Sequence, residues 1–241
     1  MAMRLMGPVH LIGGQDFNRV YLDWPANDAN VYMVDTGDQL LMVDCGCGDS
    51  LEGILGNVSR MGFEVRDVTH LLLTHAHFPH AAAAEALMRM GVKVCASASA
   101  AEALAAGDLR TAAYHYHRDF PACPGVNVLA DGECVEVCGT SLKAVELPGH
   151  SPGCMGYEIE VGRDRALFCG DVVRSPAYQS YRNRRDYDCE RYAATLERLL
   201  SDPPEILYPG HGPFCLSHGR AWIEEELKKV LEPQEGAPAE E

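Results

Sequence analysis

Hydrophobic positions in the first part of the chain form short runs typical of strands and longer segments with helical spacing. Residues 31–34 and 40–43 are apolar runs separated by the turn-forming segment 35–38, which predicts a β-hairpin. Residues 50–61 carry apolar side chains three and four positions apart, as in a helix. Residues 69–73 form a continuous apolar run of strand length, as in a strand buried on both faces.

The pattern then alternates between helices and strands. A segment of strong helix formers, with Pro79 suited to its first turn, precedes Gly91 and predicts a helix over residues 81–90. Segment 107–125 has no clear pattern. Further strands are predicted at residues 92–95, 135–137, 142–147, 155–161, 166–169 and 205–208. Further helices are predicted at residues 98–106, 188–200 and 221–231.

Strands and helices thus occur in two successive mixed blocks. Two sheets packed face to face, with helices outside, would bury both blocks in one core. At 241 residues and 47% hydrophobic content, the chain is long enough to form such a core. We predict one domain over residues 1–232 and a disordered tail over residues 233–241.

The net charge and composition indicate which kinds of binding partner are expected. The formal net charge of -15 disfavours nucleic acid and anionic membranes, so a small-molecule substrate is the better expectation. Residues 1–14 do not have the pattern of a signal peptide, and no apolar stretch is long enough to cross a bilayer, so we expect a cytoplasmic protein. Nothing in the sequence predicts an oligomeric state.

The ten cysteines are scattered along the chain and do not form a short disulfide framework. Cys45 and Cys47 are the closest pair, but one C-x-C pair is a weak metal signal. We expect most cysteines to be reduced and buried by packing.

The candidate chemistry lies in four short motifs that together hold five histidines and one aspartate. The first is the run 74–80, Thr-His-Ala-His-Phe-Pro-His, and the others are residues 148–151, 170–171 and 209–212. Imidazole and carboxylate groups are ligands of zinc, iron and manganese, and a His-x-His pair offers two nitrogens to one ion. The remaining histidines are interpreted as ordinary core or surface residues: His10, His70, His115, His117 and His218.

These motifs, together with residues 43–46, resemble the metallo-β-lactamase superfamily. Its fold is an αββα sandwich with metals at one edge of the two sheets, so the resemblance implies an α/β, four-layer architecture here. It covers nearly the whole chain, from Asn30 to the final predicted helix. The hydrolase branches that include glyoxalase II and the lactonases are expected to be most similar in layout, since we expect a single domain here.

The resemblance implies two neighbouring metal sites. A first site would be formed by three histidines: His75, His77 and His150. A second site would share a bridging carboxylate and add two histidines: Asp171, His80 and His211. Zinc is the expected metal, as one or two ions, with iron or manganese as alternatives. The resemblance also favours Asp44 as the acceptor for the free ring N–H of a ligand histidine, the alternative being an ordinary turn aspartate.

Pro79 departs from the family pattern. The family loop is His-x-His-x-Asp-His, and Pro79 occupies the aspartate position without a side-chain donor atom. Losing an anionic oxygen beside two dications leaves more charge uncompensated, so we expect weaker occupancy of the second site. In the family this aspartate also orients the attacking water. The expected catalytic groups are therefore Asp171 and a metal-bound water, with no protein base at position 79.

Three functions fit these residues. The first is hydrolysis of an ester, thioester, lactone or related carbonyl compound by a metal-bound hydroxide, since a dication lowers the pKa of water toward about 7. The second is a degenerate member that binds a metal or ligand and catalyses little, as Pro79 indicates. The third is a mononuclear iron enzyme similar to persulfide dioxygenases. We favour hydrolysis, because converging six polar groups is costly without a use for them.

A basic and aromatic segment follows Asp171. Arg174, Tyr178 and Tyr181 are candidates for contact with the substrate, through a carboxylate, a phosphate or an acyl group. The alternative is an exposed loop whose arginines pair with Asp186 and Asp188. The aromatic and histidine segment 114–117 is another candidate for covering the pocket or for supplying a ligand in place of the missing aspartate. The alternative, which we favour, is a segment packed on one face and exposed on the other.

Overall fold

The computed structural model describes residues 2–14, 28–176 and 185–232. The predicted disordered tail, residues 233–241, lies outside these ranges. The prediction of one domain over residues 1–232 stays a prediction.

In the described residues, the first sheet has seven strands in the order of the chain. The first four are antiparallel to their neighbours, and the fourth to seventh run parallel. The strands are β1 (Met3–Arg4), β2 (Val9–Gly13), β3 (Val31–Asp35), β4 (Leu40–Val43), β5 (Val68–Leu72), β6 (Lys93–Ala96) and β7 (Asn127–Val128).

Within the same ranges, the second sheet has five strands, which are β8 (Cys134–Val137), β9 (Thr140–Glu146), β10 (Met155–Val161), β11 (Asp164–Gly170) and β12 (Ile206–Pro209). Their order is β12-β11-β10-β9-β8. All neighbours are antiparallel except β11 and β12, which are parallel.

The described residues form six α-helices. They are α1 (Leu51–Arg60), α2 (Phe78–Ala81), α3 (Ala84–Arg89), α4 (Ala98–Ala106), α5 (Cys189–Ser201) and α6 (Gly219–Leu231). Short 3-10 helices cover Val65–Asp67, Leu109–Thr111 and Ala113–Tyr116. Of the helices the structure describes, none is both long and apolar enough to cross a membrane.

Alternation of side chains along the strands produces three apolar layers. In β4, Met42 packs with the helices α1, α3 and α4, whereas Leu41 faces the second sheet. In β11, Phe168 faces the first sheet, whereas Leu167 packs against α5 and α6. Helices therefore cover both outer faces, and Tyr157 joins the sheets by donating a hydrogen bond to the Leu73 carbonyl (2.8 Å). The predicted αββα sandwich is confirmed.

Most predicted elements are present, with local differences. The helix predicted over residues 81–90 is two shorter helices, α2 and α3, and Pro79 lies in the first turn of α2. The helix predicted over residues 98–106 has the predicted bounds, with a hydrogen bond from the Ala100 N–H to the Ser97 hydroxyl at its start and left-handed Gly107 at its end. Strands β1, β2 and β7 were not predicted.

Candidate metal centre

The predicted ligands lie at one edge of the two sheets because each follows a strand that runs toward that edge. The histidine run follows β5, and Asp44 follows the parallel neighbour β4. In the second sheet, β9, β11 and β12 share one direction and are followed by His150, Asp171 and His211. The fold thus brings residues that follow five different strands to one place.

The first-site histidines converge on a common point. One ring nitrogen from each of His75, His77 and His150 lies within 4.8 Å of the others, and all three side chains are buried. His150 Nε2 and His77 Nδ1 are 3.2 Å apart. Two imidazole nitrogens on one tetrahedral zinc ion, each at about 2.0–2.1 Å, have nearly this separation. The buried Nε2 of His75 has no hydrogen-bond partner, so this donor set fits a metal ion.

The second group lies beside the first. His75, His80 and Asp171 also have ligand atoms within 4.8 Å of one another. The Oδ1 atom of Asp171 is 3.3 Å from His80 Nε2 and 3.7 Å from His211 Nε2. The predicted second-site residues are therefore close together, with Asp171 between the two histidines.

Pro79 contributes no donor to this group. It is buried within α2, and its backbone carbonyl already accepts a hydrogen bond from the Ala29 N–H (3.3 Å). Position 79 thus presents an apolar ring with no side-chain donor.

Asp44 orients two of the imidazoles. Its carboxylate accepts hydrogen bonds from the Thr74 N–H, the Thr74 hydroxyl and His80 Nδ1, each at 2.8 Å. Because the Thr74 hydroxyl donates to Asp44, its oxygen accepts from His75 Nδ1 (3.1 Å). Both rings therefore hold a proton on Nδ1 and direct Nε2 into the site. Asp44 has a left-handed backbone (φ 60°), a conformation that aspartate tolerates.

Burial keeps three imidazoles of the cluster neutral. It lowers the pKa of His75 and of His150 well below the usual histidine value, and it lowers the pKa of His211 to about 4. A neutral imidazole has the lone pair that a metal requires, so these rings are in the binding form at neutral pH.

His80 differs because two carboxylates flank it. Burial alone would lower its pKa, but the charges of Asp171 and Asp44 raise the pKa of His80 to about 10. Burial likewise disfavours ionised Asp171, yet the adjoining His211, Arg174 and His80 hold the pKa of Asp171 well below its usual range. A metal ion bound by His80 would have to displace a proton.

Comparison with known proteins agrees with this geometry. The sequence profile described as the metallo-beta-lactamase superfamily matches residues 24–211, most of the chain. The chain belongs to the metallo-β-lactamase superfamily. The predicted resemblance is therefore confirmed.

Curated relatives of this superfamily member include fungal thioesterases. A thioesterase of Emericella nidulans, pkgB, is 29% identical over 190 residues, which are 78% of this chain and 47% of the relative. An atrochrysone carboxyl ACP thioesterase of Aspergillus fumigatus is 28% identical over 185 residues, 76% of this chain and 50% of the relative. The chain spans about half the length of the curated relatives it matches.

Solved structures of the superfamily share the fold. The FEZ-1 metallo-β-lactamase of Legionella gormanii has a TM-score of 0.75 at 22% identity, with 95% of this chain and 93% of that chain covered. The subclass B3 enzyme BJP-1 of Bradyrhizobium japonicum has a TM-score of 0.72 at 21% identity, with 94% and 89% covered. At these identities the likeness shows the architecture alone.

Arg174, a predicted substrate residue, lies inside the metallo-β-lactamase-like centre. Its side chain is 3% exposed, its Nε donates to the Asp171 carbonyl (3.1 Å), and its Nη2 is 3.2 Å from His150 Nδ1. The guanidinium therefore contacts the centre directly. Contact with a substrate stays a prediction for Arg174, and the other two candidates, Tyr178 and Tyr181, lie outside the described residues.

Asp186 is the residue at the centre that the sequence did not indicate. Its ion pair with an arginine stays a prediction, and the structure places its Oδ2 atom 3.5 Å from His77 Nε2. Asp188, in contrast, starts α5 and pairs with Arg191 at 3.4 Å. A contact between loops more than a hundred residues apart leaves no local signal.

The segment 113–116 lies beside the histidine run. Tyr116 stacks on Phe78 with ring centroids 5.2 Å apart, and Arg185 lies over the ring of Tyr114 at 5.9 Å. His115 and His117 are exposed and belong to neither group of possible ligands. The segment thus borders the centre through its aromatic residues.

Proposed function

We propose that this chain is a metal-dependent hydrolase that acts on a thioester. The observation that carries the proposal is the convergence of His75, His77 and His150 in a superfamily member whose relatives are named thioesterases. The three rings offer three nitrogens to one ion, and such a donor set suits zinc. Esters and lactones, which present the same carbonyl chemistry, are the alternative substrates.

A metal held by these histidines would polarise the substrate carbonyl and lower the pKa of a coordinated water toward about 7. Asp44 contributes by fixing the ring orientation of His75 and His80. Asp171, ionised and facing both groups of histidines, contributes negative charge and a hydrogen-bond acceptor. Asp44 and Asp171 therefore keep the imidazole rings and the negative charge in place before the substrate binds. Less rearrangement of the site is then needed during the reaction.

The second site is proposed to be weak. His80, His211 and Asp171 supply two imidazoles and one carboxylate, and Pro79 supplies nothing to replace the missing anion. We expect one tightly bound ion, and slower hydrolysis than a site with an oriented base would give.

Hydrolysis is tested with zinc-loaded protein and a panel of acyl thioesters, aryl esters, lactones and β-lactams. We expect thioester cleavage that a chelator removes and added zinc restores. The variants His75→Ala and His150→Ala should lose it, whereas His218→Ala, an exposed histidine outside the centre, should not. If thioester cleavage persisted in His75→Ala and His150→Ala, this centre would be excluded as the source of the activity.

The same assay separates hydrolysis from the second candidate function, a binding protein with little catalysis. Pro79 is the observation that favours that alternative, because the position of the family's oriented aspartate has no acid or base. Tight zinc binding by the three histidines without turnover of any carbonyl substrate would support the binding protein and exclude the hydrolase.

A further inference from the structure

Four side chains form a line through the first metal group. Arg174 Nη2 lies 3.2 Å from His150 Nδ1, and His150 Nε2 lies 3.2 Å from His77 Nδ1. His77 Nε2 lies 3.5 Å from Asp186 Oδ2. The two ligand histidines are thus flanked by opposite charges, a guanidinium at one end and a carboxylate at the other.

The end groups determine where the ring protons lie without a metal. A guanidinium only donates hydrogen bonds, and an ionised carboxylate only accepts them. His150 must therefore accept at Nδ1 and carry its proton on Nε2, which donates to His77 Nδ1. His77 in turn carries its proton on Nε2 and donates to Asp186. Every contact in the line is then satisfied in one direction.

Binding of a metal ion has different consequences for the contacts at the two ends of this line, His77 with Asp186 and His150 with Arg174. The nitrogens that face each other, His77 Nδ1 and His150 Nε2, must both present lone pairs to the ion. His77 keeps its proton on Nε2, so its hydrogen bond to Asp186 is retained. His150 must hold its proton on Nδ1, which then faces the donors of Arg174. The carboxylate suits the metal-bound state, and the guanidinium suits the metal-free state.

We propose that Asp186 and Arg174 are positioning residues that act on the same metal ion in opposite directions. Asp186 strengthens metal binding by holding His77 with Nδ1 toward the ion, as outer carboxylates do for ligand histidines. Arg174 weakens metal binding by stabilising the His150 tautomer that cannot ligate through Nε2. The proposal rests on the metal site of the proposed function, and it does not require hydrolysis.

The test is a zinc titration of metal-free protein in competition with a chromophoric chelator. We expect Asp186→Ala to weaken zinc binding about tenfold or more, the size of effect found for outer partners of ligands. Asp186→Asn, whose amide oxygen still accepts, should weaken it less. Arg174→Gln, whose amide oxygen accepts from His150 Nδ1–H, should tighten binding about tenfold. Arg174→Lys, which only donates, should bind zinc like the wild type.

The matched controls remove one negative and one positive charge from nearby residues that do not contact the ligand histidines. Asp188→Asn keeps the cap of α5, because asparagine caps a helix as well as aspartate does, and Arg191→Gln removes an exposed charge. Both should leave zinc affinity within about twofold of the wild type, since exposed charges are screened. Thermal unfolding in chelator shows which variants are folded, and Arg174→Met replaces Arg174→Gln if the latter is not.

Opposite shifts are diagnostic, because a purely structural role would weaken binding in both variants. A second measurement is the long-range ¹H–¹⁵N spectrum of the imidazoles, in which zinc should move the His150 proton from Nε2 to Nδ1. Weaker zinc binding in the folded Arg174 variant, or unchanged zinc binding in Asp186→Ala, would overturn this proposal and leave the proposed function standing. If wild-type protein bound no zinc, the metal site and the proposed function would fail with it.

Discussion

Replacement of Asp44 should destabilise the protein even when no metal is bound. Its carboxylate is 2% exposed and accepts three hydrogen bonds, from the Thr74 N–H, the Thr74 hydroxyl and His80 Nδ1. Asp44→Ala leaves two buried N–H donors without this acceptor, and it places alanine in a left-handed conformation. Asp44→Asn keeps the shape and one accepting oxygen.

The size of the effect follows from these contacts. A hydrogen bond to a charged group contributes about 2 kcal/mol, so the loss of two N–H bonds costs about 4 kcal/mol. Left-handed backbone adds about 1 kcal/mol for alanine. We therefore expect the free energy of unfolding to fall by about 5 kcal/mol in Asp44→Ala. In Asp44→Asn we expect a fall of about 2 kcal/mol, because one N–H bond is lost and asparagine tolerates this backbone.

The assay is urea denaturation in the presence of a chelator, followed by circular dichroism, so that metal affinity does not contribute. Asp35→Asn is the matched control, because Asp35 accepts one exposed hydrogen bond from the Gly37 N–H (2.9 Å). If both Asp44 variants unfolded within about 0.5 kcal/mol of the wild type, as surface substitutions do, the role given to Asp44 would be refuted.

Three further predictions address other contacts. Gly210→Ala should lower the free energy of unfolding by about 1–3 kcal/mol in urea denaturation with chelator present, because a Cβ there would overlap His80 Cε1, and unchanged stability would contradict this. Tyr157→Phe should lower the free energy of unfolding by about 1–2 kcal/mol in urea denaturation, because the Leu73 carbonyl loses its partner between the sheets. Burial raises the pKa of Cys154 to about 12, so alkylation of the folded protein at pH 8 followed by mass spectrometry should spare it. The exposed thiols should react first: Cys134, Cys138 and Cys189.

The sequence predicted the parts of the fold that depend on local pattern. The continuous apolar run before the histidines is buried strand β5, and proline at position 79 starts a helix because its fixed φ suits the first turn. Strand β2 was missed because its five residues are all buried, so the polar alternation of a half-exposed strand is absent. His10 within it also interrupts the apolar run.

The site was predictable only as far as residue type and motif extend. A recognisable motif marks its histidines as candidate metal ligands. No motif marks Asp186, because its contact with His77 depends on how two distant loops meet. Arg174 was noticed for its charge, but its burial beside His150 depends on tertiary packing. The type of chemistry is therefore predictable from motifs, whereas the groups that tune it are brought to the site by tertiary packing.

The most direct test of the account is the number of zinc ions retained after loading and gel filtration, measured by elemental analysis. Wild-type protein should retain one equivalent. Pro79→Asp, which introduces a carboxylate at a helix start where acidic residues are favourable, should retain two, whereas Pro79→Ala should retain one. Two tightly bound equivalents in the wild type, or none, would contradict the account.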